Sequence, residues 1–287
     1  MLDTDKRLVF RDILEGNKCE FPASVYDSIS ARIGTELGFK IGMFAGSIAS
    51  AVVLGAPDYI VLTLTEFAQQ ARRICRGNEL PILVDADHGY GNALNVKRTV
   101  EELENAGVSA LTIEDTLLPR QHGSREIQLI SIEEGVGKMK AALAGRIDPA
   151  LVVAGRTSAF QVSGPEDAML RAKNYEEIGV DAMFFAGLST RKQLETIRNS
   201  ISIPIMLGSL SPELEDQEYL GSMGVRVALQ GHLPYMAGVK AVHDTLKALK
   251  AGKKPSELVK SSQYSDLIKK VTRTSDHDNW ISEFLDK

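Results

Sequence analysis

One pattern constrains this chain more than any other: a short apolar run, a polar loop and a helical stretch, repeated about eight times. The apolar runs are Phe21–Val25, Ile41–Ala45, Ile82–Val84, Ala110–Ile113, Leu151–Ala154, Ala182–Ala186, Ile205–Leu207 and Val225–Leu229. Their length and their Val, Ile, Leu and Phe content suit strands buried on both faces, as in a parallel sheet. Between them, Leu94–Asn105 and Pro165–Glu177 carry helical spacing and stop at Gly107 and Gly179, residues that end helices without strain. Eight such units close a TIM barrel. A doubly wound open sheet would carry a glycine-rich phosphate turn after its first strand, and Pro22-Ala-Ser-Val-Tyr-Asp27 is not one. The expectation is an α/β fold: a single (β/α)8 barrel domain over residues 1–287, with about 241–287 forming a helical C-terminal arm. The arm would cover its own barrel or pack on a neighbouring subunit.

Charge narrows the function. Lys and Arg total 33 against 38 Asp and Glu, a net charge of −5, which argues against a nucleic-acid binder and fits a protein that handles small molecules. Cys19 and Cys75 are the two cysteines, too few for a disulfide framework, so a reducing cytoplasm is expected. The opening MLDTDKRLVF alternates charge and apolarity and leaves no place for a signal-peptide core. The run Ile41–Ala56 is shorter than a bilayer span of roughly 20 residues and is interrupted by Gly46, Ser47, Ser50 and Gly55. No membrane partner is expected.

In a (β/α)8 barrel the chemistry lies at the C-terminal ends of the strands. Those ends read Ala45-Gly46-Ser47, Asp85-Ala-Asp87-His-Gly-Tyr-Gly-Asn92, Glu114-Asp115, Arg156-Thr157-Ser158 and Gln230-Gly231-His232, with Asp58 following in Gly55-Ala-Pro-Asp58. Asp85 and Asp87 are two apart on an extended segment and share a face. Asp58, Asp85, Asp87 and Glu114 at one mouth call for a positive charge between them. Mg2+ suits all-oxygen ligands, with Mn2+ as a substitute, whereas the sequence lacks the His and Cys spacing of a zinc site. Arg156 offers a planar fork for a carboxylate, or for an ion pair with Glu114 or Asp87. Gly46 and Ser47 offer amide and hydroxyl donors to an anion, and His232 a further polar group at a strand end.

Taken in order, these pieces resemble the isocitrate lyase/phosphoenolpyruvate mutase superfamily. The matching segments are Tyr26-Asp27-Ser28-Ile29-Ser30-Ala31-Arg32, Gly46-Ser47, Gly55-Ala-Pro-Asp58, Asp85–Asn92, Ile113-Glu114-Asp115 and Arg156-Thr157. The resemblance implies a barrel that binds Mg2+ and acts on 2-oxo acids through a carbanion or enolate held on the metal. It implies also a last helix exchanged between subunits and a homotetramer built as a dimer of dimers. Carbon–carbon lyases of that superfamily carry a Lys-Lys/Arg-Cys-Gly-His tract after strand 4, whereas this chain has Thr116-Leu-Leu-Pro-Arg-Gln-His-Gly-Ser-Arg125, without cysteine. That loop, with Gly231-His232, is similar to the oxaloacetate decarboxylase branch. There the residues at Ser47, Asp85, Arg156 and His232 bind substrate or metal. The resemblance therefore implies metal binding by Asp85, Asp87, Asp58 and Glu114, substrate binding by Gly46, Ser47, Arg156 and His232, and catalytic roles for Arg156 and His232. Ser158 departs from the Asn or Asp usual in relatives. The alternative is a C–C or C–P lyase acting on another 2-oxo acid or a 2-methylisocitrate-type substrate.

Overall fold

A computed structural model describes residues 2–258 and 261–286, with 261–264 described in backbone alone. Two compact units are distinguished, one ending at Gly231 and the other beginning at His232. The first holds eight parallel strands: β1 (Ala23–Ser24), β2 (Gly42–Phe44), β3 (Ile82–Asp85), β4 (Ala110–Glu114), β5 (Val152–Thr157), β6 (Ala182–Phe185), β7 (Ile205–Leu207) and β8 (Val225–Ala228). They neighbour one another in chain order, and Glu20 bridges the segment before β1 to β8. Its amide donates to the Arg226 carbonyl at 2.8 Å, and its carbonyl accepts from the Ala228 amide at 3.1 Å. Each apolar run read from the sequence overlaps a strand, β3 and β4 continuing one residue past theirs, and the fold is the expected TIM barrel. β5 continues past its run because Arg156 and Thr157 stay in register with Phe184 and Phe185.

The strands are buried on both faces, as near-continuous apolar runs require: β2, β4, β6 and β7 are buried throughout. Local signals start and stop the helices between them. Thr63 and Glu66 form a capping box for Leu64–Cys75, and Asn92 caps Ala93–Asn105. Gly107 and Gly179, at φ +89° and +91°, follow the helices where the sequence places the stops.

The helix Asp3–Glu15 lies across the floor of the barrel. Arg7, 5% exposed, donates to the carbonyls of Val108 and Glu104 and to Asp148, while Arg11 donates to the carbonyls of Ala150 and Leu151 and to Asp181. The carbonyls entering β4 and β5 thereby gain charged donors. Sequence pattern alone does not announce this role for the first fifteen residues.

The second unit consists of the helices Leu233–Lys250, Pro255–Leu258, Ser261–Val271 and Thr274–Phe284. Residue 241, where the sequence suggests the arm begins, falls inside the first of these helices; residues 259, 260 and 287 of the arm lie outside the described residues. Among the described residues, no helix is long and apolar enough to cross a membrane.

Candidate active site

Strand register builds the site. Glu114 on β4 pairs with Arg156 on β5, Arg156 pairs with Phe184 on β6, and Asp85 on β3 pairs with Thr112 on β4. Thr112 and Glu114 are two apart on one strand and share a face, so the five side chains form one contiguous row. Arg156 is its centre. Its Nη1 bonds the Asp85 carboxylate, and its Nε lies 3.2 Å from Glu114 Oε2 without the alignment of a hydrogen bond. The guanidinium carbon sits 5.4 Å from the centre of the Phe184 ring, a cation–π arrangement.

The loop after β3 brings in a second carboxylate. Asp85 Oδ1 accepts from the Asp87 amide and from the Thr112 hydroxyl, each at 3.2 Å. Asp87 takes φ +48°, a left-handed conformation that Asp tolerates better than most residues. Its carboxylate rests against Gly46, where a Cβ would lie 2.6 and 2.9 Å from the two oxygens. Glycine at 46 is thus required by close approach. Ser47 follows in the short helix Gly46–Ala49, which runs into a π-helical turn, Ser50–Leu54, ahead of Asp58. Such turns are frequent at functional sites.

The electrostatics are one-sided. Asp58, Asp85, Asp87 and Glu114 share a single guanidinium. Burial raises the Asp87 carboxyl well above the usual carboxylate range, and the charges of Asp85, Glu114 and Asp58 raise it further. Burial also raises Glu114, with Arg156 opposing, and raises Asp58, with Asp85 adding to it. Burial works against the charge of Arg156, but Asp85 and Glu114 hold its pKa above the ordinary arginine value. The Asp87 side chain, 8% exposed, makes no hydrogen bond or ion pair among the described residues. The Tyr90 hydroxyl is buried nearby without an acceptor, its pKa raised by burial and then by Asp87, Asp85 and Asp58.

This donor set fits a hard divalent cation: all oxygen, an excess of negative charge, and a buried carboxylate with no protein partner. No three His, Cys, Asp or Glu residues converge as a ligand cluster among the described residues. Mg2+ does not require one, since it usually keeps several waters and takes one or two carboxylates directly.

The structure thus brings together Gly46, Asp58, Asp85, Asp87, Glu114 and Arg156, with Ser47 next to Gly46 in the chain. Sequence reasoning missed Thr112 and Phe184. Alternation from Glu114 points to Thr112, but Phe184 follows only from the register of β5 with β6. Asp115, next to Glu114, turns the other way and bonds Arg171 at 3.0 Å and the Tyr175 hydroxyl at 2.9 Å. Ser158 is 9% exposed and precedes the short helix Ala159–Val162. His232 begins the second unit, immediately before the helix Leu233–Lys250. The loop Thr116–Arg125 folds back through the Leu117 amide, which donates to the Gln128 carbonyl at 2.8 Å. Cys19 and Cys75 are free and buried, and burial pushes each thiol up to about 12.

Residues 10–250 match the family model described as phosphoenolpyruvate phosphomutase. A protein of Bradyrhizobium diazoefficiens described as oxaloacetate decarboxylase is 54% identical over 271 residues, covering 94% of each chain. One of the same description from Bradyrhizobium sp. strain ORS 278 is 51% identical over 280 residues, covering 98% of this chain and 97% of its own. Among solved structures, oxaloacetate acetylhydrolase in complex with the product oxalate superposes with a TM-score of 0.83 at 25% identity, covering 97% of this chain and 99% of that one. Phosphonopyruvate hydrolase in complex with oxalate and Mg2+ shares the fold, with a TM-score of 0.83 at 24% identity over 99% of this chain and 100% of that one.

Proposed function

The chain belongs to the phosphoenolpyruvate phosphomutase family, and from that membership we propose how its mouth decarboxylates oxaloacetate. The protein is a carboxy-lyase of a divalent-metal-dependent superfamily. Oxaloacetate is a β-keto acid. Breaking the bond to its far carboxylate releases CO2 and leaves the electron pair in the enolate of pyruvate, which takes a proton at C3. The barrier is chiefly the negative charge that develops on the oxo oxygen.

Asp85 would hold Mg2+ directly, and Asp58, Asp87 and Glu114 would act on it through waters. When bound, the ion supplies Lewis-acid stabilisation of that developing charge, and Mn2+ can substitute. Arg156, fixed by Asp85, Glu114 and Phe184, presents its remaining edge to a substrate carboxylate. Gly46 and Ser47 offer an amide and a hydroxyl to the carboxylate beside the keto group. His232 is assigned a substrate-binding and catalytic role. No step needs a thiol.

The observation that carries this reading is the cluster of four carboxylates around one arginine, beside a β4 loop without cysteine. The test is pyruvate formation from oxaloacetate, compared with cleavage of 2-methylisocitrate and of a phosphono-2-oxo acid. We expect turnover of oxaloacetate alone, abolished by EDTA and restored by Mg2+ or Mn2+. Full activity in exhaustively chelated protein, or preferred cleavage of either alternative substrate, would reject it.

We infer further that the chain acts as a homotetramer in the cytoplasm. Leu233, Met236, Val239, Val242, Leu246 and Leu249 recur every three or four residues on the helix Leu233–Lys250 and are 40–70% exposed. An apolar stripe of that length is suited to cover by a second copy of the chain. The two free, buried cysteines suit a reducing compartment.

A further inference from the structure

The floor of the barrel, at the opposite end of the strands from the carboxylate cluster, contains a cavity of about 350 Å³. Its walls come from the helix Asp3–Glu15 and from the residues entering β6, β7 and β8, including Asp181, Pro204 and Gly224. Three arginines, Arg11, Arg198 and Arg226, line it against two carboxylates, Glu15 and Asp181.

Their charges are unequally compensated. Asp181 is fully engaged, accepting from Arg11 at 3.0 Å, Arg146 at 2.7 Å and the Val153 amide at 2.8 Å. Among the described residues, neither Arg198 nor Arg226 has a carboxylate within 4.0 Å. Both are instead pinned by main-chain carbonyls through Nη1: Arg198 to Ser202 at 3.0 Å, and Arg226 to Gly221 at 2.9 Å and Val225 at 3.1 Å. The Nε of Arg226 is buried with no acceptor at all. Gly224 makes room for Arg198, since a Cβ there would lie 2.9–3.2 Å from its guanidinium. Burial, and then the neighbouring Arg198, lower the pKa of Arg226, so the two cations are felt by each other. Arg226 also lines a second hollow, about 760 Å³, between residues 17–20 and 217–222.

Two like charges that line one cavity, influence each other and lack a carboxylate partner are stabilised by a compact dianion. A tetrahedral phosphate offers both guanidiniums oxygens on different sides, whereas a dicarboxylate spreads its charge along a chain. The cavity is also at the lower end of ligand-site volumes, about 300–1,000 Å³, and leaves space beyond one phosphate for a small carbon skeleton. We propose that Arg198 and Arg226 form an anion site on the barrel floor for a small phosphate-bearing metabolite, distinct from the decarboxylase mouth.

The test is calorimetric titration of the full chain with Mg2+ and oxalate present to fill the catalytic mouth. Inorganic phosphate, ribose 5-phosphate and malonate are the titrants, at constant ionic strength. Saturable binding of the two phosphate probes is expected, weakened at least about tenfold in Arg198→Gln and in Arg226→Gln. Ser47→Ala should bind them as the parent does. Oxaloacetate turnover without phosphate should be unchanged in Arg198→Gln, which certifies its fold even where Arg226→Gln is unstable. Absence of saturation, equal binding by the arginine variants, or malonate binding as tightly as ribose 5-phosphate would each overturn the assignment.

Discussion

Arg156 is held from three sides, and its substitutions separate charge from geometry. Lysine keeps the charge but cannot span Asp85 and Glu114 with a planar fork. Loss of a buried charge partner costs about 2–5 kcal/mol, so Arg156→Lys should reduce kcat/KM roughly thirty-fold to several thousand-fold. Measured on folded, Mg2+-saturated protein, near-parental kcat/KM would remove Arg156 from substrate binding. Gly46→Ala tests the second carboxylate. The new Cβ would come within 2.6 Å of the Asp87 carboxylate, which must swing away. Displacing a group that orients the metal's ligands costs about 10- to 100-fold in metal affinity. The Mg2+ concentration for half-maximal activity should rise by that factor, and an unchanged requirement would count against Asp87 as part of the metal site.

At the scale of elements, the helix Asp3–Glu15 makes floor stability depend on pH. Burial raises the Asp148 carboxyl, but the Arg7 guanidinium, the Ala150 amide and the Thr4 hydroxyl outweigh it and hold the folded pKa below the usual value. Stabilisation from a depressed carboxyl is complete above the unfolded pKa of about 3.9 and is lost as pH falls through the folded value. Asp148→Asn should therefore lower stability at pH 7 by about 1–3 kcal/mol. It should also flatten the acid limb of Tm against pH below about pH 4, and parallel limbs in the two proteins would refute the linkage. The helix Leu64–Cys75 supports a second expectation. Cys75 ends it at 2% exposure, and Cys19 is 1% exposed elsewhere. With both thiols pushed up to about 12, little thiolate exists near neutrality. Iodoacetamide should leave oxaloacetate turnover intact, and loss of turnover by alkylation of the folded protein would revive a thiol-dependent lyase.

For the whole molecule, the apolar stripe on Leu233–Lys250 is the feature a solitary chain explains least. No residue of this eighteen-residue helix is buried. Placing charge within the stripe, as in Val242→Glu with Leu246→Glu, should disfavour a protein partner without disturbing a core. Light scattering should then report a smaller assembly than the tetramer expected of the parent. An unchanged mass would show that the stripe is not the interface.

The sequence by itself determined the architecture, because the information is local. Three- to five-residue apolar runs, capping boxes at Thr63 and Asn92, and glycines at 107 and 179 mark a βα repeat. Eight such units without a glycine-rich phosphate turn after the first point to a barrel rather than a doubly wound sheet. The sequence also determined which residue types gather at the strand ends, and alternation puts Thr112 and Glu114 on a shared face. Asp85 and Asp87, expected to share one on an extended segment, meet instead through a left-handed turn at Asp87, past the end of β3. Tertiary structure alone decided the partners. Glu114 and Asp115 are adjacent carboxylates of opposite fate: one turns to Arg156 inside the barrel, the other to Arg171 and Tyr175 in the helical layer. Period two states that they diverge, but closure of the sheet selects which of them faces inward. Phe184 beneath Arg156, and the arginines of the first helix beneath β4 and β5, were likewise out of reach. Both depend on register between segments far apart in the chain, which only the closed ring fixes.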